Sequence, residues 1–125
     1  MEASNEINDI ICKKNIKDGK AQFMRLDLSD LQSVIDFCDR IKEQFQRIDI
    51  LINNAGLNID SVLPNGVRQV FQVNYLGHYL LSRSLIPLLS VKSKESNNSY
   101  SDIGRVINLS SVMHHLGQVS TTYLI

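Results

Sequence analysis

The sequence has little of what marks the more easily recognised classes of protein. Its 125 residues contain no tryptophan, two prolines, six glycines and two cysteines. Thirteen basic residues balance thirteen acidic ones, which gives no support for a surface that grips nucleic acid or an anionic membrane. Cys12 and Cys38 make no pattern of bridge or metal ligands. Cys38 falls on an apolar helical stripe, so a buried free thiol is the expectation. No stretch of about 18 apolar residues occurs, so no membrane-spanning helix is expected. Met1 to Lys14 carries Glu2, Glu6 and Asp9 and lacks an apolar run before a small-residue cleavage site, so no secretory leader is read there. A reduced, intracellular compartment follows as the default. The adjacent His114 and His115 diverge as neighbouring side chains must, and no Cys, His or carboxylate spacing supports a metal site. There is no internal repeat and no low-complexity tract that bears on function.

What is present suits a soluble globular chain of one domain or less: 43% of residues are hydrophobic and 21% charged. Ile7, Ile10, Ile11 and Cys12 fall roughly on one face of a short helix that should stop before Asp18-Gly19. "AQFMRLD", Ala21 to Asp27, reads as a strand. Ser29 and Gln32 fit a capping box. Leu31, Val34, Ile35, Cys38, Ile41 and Phe45 then follow helical spacing. "IDILIN", Ile48 to Asn53, is a short apolar run of the kind covered on both faces in a parallel sheet. A long helix is predicted from about Gly66 to Leu89, with Val67, Val70, Phe71, Leu81 and Leu85 on one face. Pro87 should kink or end it. After a polar loop over 90–102, "RVINLSS", Arg105 to Ser111, reads as a third strand.

Helices alternate with strands, which argues for an α/β parallel sheet. In such sheets ligands lie beyond the carboxyl ends of the strands. Asp27, the turn Asn53-Asn54-Ala55-Gly56, and Ser110-Ser111 all sit at such ends. Each has a plain structural reading beside the chemical one. Asp27 could cap a turn or accept a hydrogen bond from a ligand amine. Asn74 lies four after Val70 and seven after Val67, on a side that should be apolar. A buried amide without partners costs on the order of 1–3 kcal/mol, so either a neighbouring backbone or a catalytic water should hold it. Ser111 could be a nucleophile, a hydrogen-bonding group or an N-cap. Without a G-x-S-x-G turn the nucleophile reading is weak.

"LDLSD" at 26–30, "IDILINNAG" at 48–56, "VNYLGHYLL" at 73–81 and "GRVINLSS" at 104–111 together resemble the short-chain dehydrogenase/reductase family. "SSVMHHLG" at 110–117 is most similar to its retinol-dehydrogenase-like branch. The resemblance implies a single, incomplete NAD(P)-binding Rossmann-like domain over 1–125. It would be a partial doubly wound parallel sheet supplying only the third, fourth and fifth strands. It implies hydride transfer between an alcohol and a carbonyl with NAD or NADP, on a small hydrophobic substrate. Carried over, Asp27 would contact the adenine edge, and Asn53, Asn54, Ala55 and Gly56 would line the cofactor and brace the central strand. Asn74 would hold a relay water, and Ser111 would orient the substrate oxygen. It further implies a location in the cytoplasm or on the cytosolic face of the endoplasmic reticulum. A homo-oligomer is compatible with the family, and any membrane association would be carried by segments outside these residues.

The departures from the family pattern are specific. Gly19 is the only glycine before Gly56, so no glycine-rich turn receives a pyrophosphate. No Tyr-x-x-x-Lys pair occurs. Tyr123 lies twelve after Ser111, but no lysine follows it, and Tyr123 receives no catalytic role here. The chain is therefore expected to be inactive as it stands. The alternative is a non-catalytic module that binds or dimerises through an exposed strand edge. In a doubly wound sheet the third strand pairs with the second and the fourth with the first, so both "AQFMRLD" and "IDILIN" lose a neighbour.

Overall fold

A computed structural model describes residues 2–14, 19–58, 61–90 and 104–115. Asp18, the expected loop after Ser90, Gly117 and Tyr123 lie outside the described residues. In chain order the elements are α1 (Glu2–Lys13), α2 (Leu31–Gln44), β1 (Ile50–Asn53), α3 (Gln69–Phe71), a π-helical turn (Gln72–Gly77), α4 (His78–Leu89), β2 (Arg105–Asn108) and a 3-10 turn (Val112–His115).

The α/β reading holds in its centre. β1 and β2 pair in parallel, with Ile50 beside Arg105 and Asn53 beside Asn108, across a helical crossover. The start of each strand is tied to the end of α4. Ile48 N donates to Leu88 O (3.1 Å) and Gly104 N donates to Leu89 O (2.8 Å). These bonds satisfy carbonyls that a helix C-terminus leaves without partners. They also fix which way both strands run, so their carboxyl ends emerge together on the far side.

The core lies between α2 and α4. Val34 and Cys38 on α2 meet Leu81 and Leu85 on α4, with Leu28 and Val73 closing the cluster. Cys38 is a buried free thiol, as its stripe position predicts. Burial pushes that thiol up, against the opposing effect of a hydrogen bond with Ser84.

Several expectations are corrected. Ala21 to Asp27 is not a strand. Without a neighbouring strand there is no ladder to join, and side chains satisfy its backbone instead. Asn8 bonds both N and O of Ala21, Arg40 donates to Arg25 O (2.9 Å), and Ser33 Oγ accepts from Asp27 N (3.1 Å). Asp30, not Ser29, caps α2, its side chain accepting from Gln32 N (2.9 Å). Ser29 is taken up by Asp27. Of the predicted α2 stripe, Ile35 and Phe45 remain exposed.

The run Ile50–Asn53 is covered on one face only. Ile50 and Ile52 are 54% and 59% exposed, while Leu51 joins the core side and Asn53 is buried. β2 spans Arg105 to Asn108 and stops short of the two serines. The expected stop of α1 at Asp18-Gly19 rests on residues outside the described ones. Gly66 lies in the left-handed region, at φ 82°.

The crossover begins at Gln69 rather than Gly66. Gly66 closes a turn through its N–H to Leu63 O (2.8 Å), and that left-handed backbone cannot continue into a right-handed helix. Pro87 stands two residues before α4 ends at Leu89, consistent with its lost donor.

Candidate active site

The carboxyl ends of β1 and β2 open into a groove of about 1130 Å³. Its floor is the turn from Asn53 to Asn58. One wall is Asn108 to Ser111 and the other is the helix face bearing Val70, Asn74, Tyr75, His78, Tyr79 and Ser82. Asn53, Asn54, Ala55, Gly56, Asn74 and Ser111 are thus brought together. Asp27 is not among them. It lines a separate groove of about 580 Å³ with Phe23, Met24, Arg25 and Ser33.

Asn53 is 5% exposed and acts as the hub. Its Nδ2 donates to Ser82 Oγ (2.8 Å) and to Asn108 Oδ1 (2.7 Å). One amide therefore joins the end of β1 to its register partner on β2 and to α4. The β ladder continues one step further, with Leu109 N donating to Asn53 O (3.0 Å).

Asn74 is exposed on the groove wall, not buried among apolar side chains. Its Oδ1 accepts from Leu57 N (2.9 Å) and its Nδ2 donates to Leu57 O (2.8 Å). Of its two readings, the amide tied to a neighbouring backbone is the one the geometry displays. The corrected position has a physical cause. Asn74 lies in the π-helical turn Gln72–Gly77, where i→i+5 bonding advances the helix by less per residue. The face slips, so the predicted single stripe divides. Val70, Asn74, His78 and Ser82 turn to the groove, while Val73, Gly77, Leu81 and Leu85 turn to α2.

Gly56 carries no side chain where the turn passes Asn74. A Cβ there would stand 3.3 Å from Asn74 Oδ1. Backbone therefore lines the groove at that point. Asp27 Oδ1 accepts from both Ser29 N (2.9 Å) and Ser29 Oγ (2.6 Å). These bonds hold its carboxyl below the usual carboxylate range, with burial opposing and Arg25 assisting. Asp27 is at present a turn residue, the structural one of its two readings.

His78, Ser82 and Asn108 were missed in the sequence. The signal for the first two was there. Asn74, His78 and Ser82 recur every four residues (78 − 74 = 4; 82 − 78 = 4), a polar stripe within an otherwise apolar helix.

The family model for short chain dehydrogenases matches residues 3–123. The chain belongs to the short-chain dehydrogenase family. Retinol dehydrogenase 12 from Bos taurus is 38% identical over 105 residues, which are 82% of this chain and 30% of that protein. This short-chain dehydrogenase is thus retinol-dehydrogenase-like in sequence and spans less than a third of that curated relative. Among solved structures, yciK, an oxidoreductase from E. coli, is 25% identical with a TM-score of 0.63, covering 94% of this chain and 45% of its own. The Pseudomonas aeruginosa RhlG/NADP active-site complex is 28% identical with a TM-score of 0.51, covering 70% and 36%. The partial Rossmann-like fold therefore stands, with its third-strand segment unpaired.

The groove residues fit the family's dinucleotide in part. They offer backbone at Ala55 and Gly56, hydroxyls at Ser110 and Ser111, and a position beyond parallel strand ends. A glycine-rich turn to hold the phosphates is not among the 125 residues.

Proposed function

We propose that these residues are part of an NAD(P)-dependent oxidoreductase that interconverts an alcohol and a carbonyl on a small hydrophobic substrate, as the retinol-dehydrogenase-like resemblance implies. The observation that carries this reading is the groove itself: the Asn-Asn-Ala-Gly turn, Asn74 and Ser111 meet at the carboxyl ends of two parallel strands.

Bound there, the nicotinamide would supply the hydride acceptor or donor. The chain's own residues do the rest. Asn54, Ala55 and Gly56 would line the cofactor, and Asn53 braces the strand end at that groove. Asp27, on the separate groove, would accept a hydrogen bond from the adenine amine. Ser111 holds the substrate oxygen, since a hydroxyl can both donate and accept. Asn74 keeps one Nδ2 hydrogen and one Oδ1 lone pair beyond its bonds to Leu57, and these serve a relay water. The 125 residues alone do not turn over substrate, because they contain neither a phosphate-holding glycine turn nor a Tyr-x-x-x-Lys pair.

The test is a transplant. Residues 21–115 replace the matching stretch of bovine retinol dehydrogenase 12. The chimera is expected to oxidise retinol with a nicotinamide cofactor, and Ser111→Ala within it to lower kcat by about 100-fold or more. A folded chimera that retains full rate after Ser111→Ala would overturn the role given to Ser111. One that folds yet neither binds cofactor nor turns over would overturn the reading as a whole.

A further inference from the structure

His78 has no part in the roles assigned above, yet both its ring nitrogens lie against the Asn53–Gly56 turn. Its Nε2 lies 2.7 Å from Ala55 O and its Nδ1 lies 3.2 Å from Asn53 Oδ1. Both neighbours are acceptors. A backbone carbonyl can only accept, and Asn53 has already committed both Nδ2 hydrogens to Ser82 and Asn108, so the atom facing His78 is its oxygen. A neutral imidazole carries a single ring hydrogen, and the shorter contact then places it on Nε2, towards Ala55 O.

The consequence is directional. The Ala55–Gly56 peptide is trans, as are all those described, and in a trans peptide the carbonyl and the following N–H point opposite ways. Drawing Ala55 O towards His78 turns Gly56 N–H away from the helix. The neighbouring Leu57 peptide is held by Asn74 one helical turn earlier, and Asn53 by Ser82 one turn later. The three side chains of one stripe clamp three successive parts of one turn.

We propose that His78 is a positioning residue: through Nε2–H it fixes the plane of the Ala55–Gly56 peptide and so sets which backbone groups the turn presents to the groove. The bearing of this clamp on cofactor binding rests on the function proposed above, whereas the clamp itself does not.

The test uses the 125-residue chain with no nucleotide present. Long-range 1H–15N correlation spectra of the imidazoles should show His78 protonated at Nε2 and bare at Nδ1. The opposite tautomer, or an averaged pair of signals, overturns the proposal. Three variants then separate a directed hydrogen bond from simple packing. His78→Gln keeps a donor near the Nε2 position, His78→Asn keeps one near Nδ1 only, and His78→Leu keeps none. Amide exchange at Leu57, whose N–H is held by Asn74 beside the freed peptide, should quicken about tenfold in the Asn and Leu variants and stay within about twofold of the parent in the Gln variant, because loosening the Ala55–Gly56 peptide opens its neighbour. If Gln exchanges as fast as Leu, the proposal fails. Should His78→Leu not fold, the tautomer and the Gln-to-Asn contrast still decide it. A correct clamp in a chain whose groove gives no nucleotide response would contradict the function alone.

Discussion

At the scale of single residues, Asn53 ties three elements together through one carboxamide. It is nearly fully buried, and each polar atom of its amide has a partner. Asn53→Ala removes the amide that bonds Ser82 and Asn108 and faces His78, and stranded buried polar groups cost about 1–3 kcal/mol. The variant is expected to lose about 2 kcal/mol of folding stability, read as a lower urea midpoint with an unchanged slope. Asn108→Ala should cost less, because Asn53 Nδ2 keeps its bond to Ser82. Equal losses in the two variants would contradict the hub. The turn itself was legible in the sequence because two amides and a glycine after a branched apolar run are hard to explain as plain strand. The partners of Asn53 were not legible, since Asn108 is 55 residues away and only the parallel register brings it alongside.

At the scale of elements, the π-helical turn decides which side chains the crossover gives to the groove and which to the core. Helical periodicity read over Gly66 to Leu89 put Asn74 with Leu81 and Leu85, and the wider turn separates them. Nothing in a list of apolar positions signals an i→i+5 turn, so this error was built into the reading. The long helix and the α2 stripe were legible for the opposite reason: Val34, Cys38, Leu81 and Leu85 keep regular spacing where the backbone is regular. Ala21 to Asp27 shows the reverse case, a strand-like composition that cannot become a strand without a neighbour.

The close passage of the crossover over Leu28 depends on Gly77, where an added Cβ would stand 2.8 Å from Leu28 O. Two effects oppose each other on Gly77→Ala. Helix propensity favours alanine by about 1 kcal/mol, and forcing atoms into a packed contact costs about 1–3 kcal/mol. The contact involves backbone, which cannot swing aside, so the net change should be destabilising. A thermal melt showing Gly77→Ala more stable than the parent would contradict the packing described between the crossover and Leu28.

At the scale of the whole molecule, the chain holds one side of a dinucleotide-binding architecture. A parallel sheet is ordinarily covered on both faces, yet the face bearing Ile50 and Ile52 is open. The chain also spans only 30% of bovine retinol dehydrogenase 12. The central claim is that the groove beyond β1 and β2 is the floor on which a nicotinamide dinucleotide lies. The most direct measurement is a titration of the 15N-labelled chain with NADPH, followed in its amide spectrum. Without a phosphate-holding turn, binding should be weak, with a Kd of about 1 mM or above. The account predicts that the resonances of Asn54, Gly56 and Ser111 move together and trace one binding curve, while α1 stays still. Shifts confined to other surfaces, or a groove that stays unchanged up to about 10 mM nucleotide, about ten times that Kd, would contradict it.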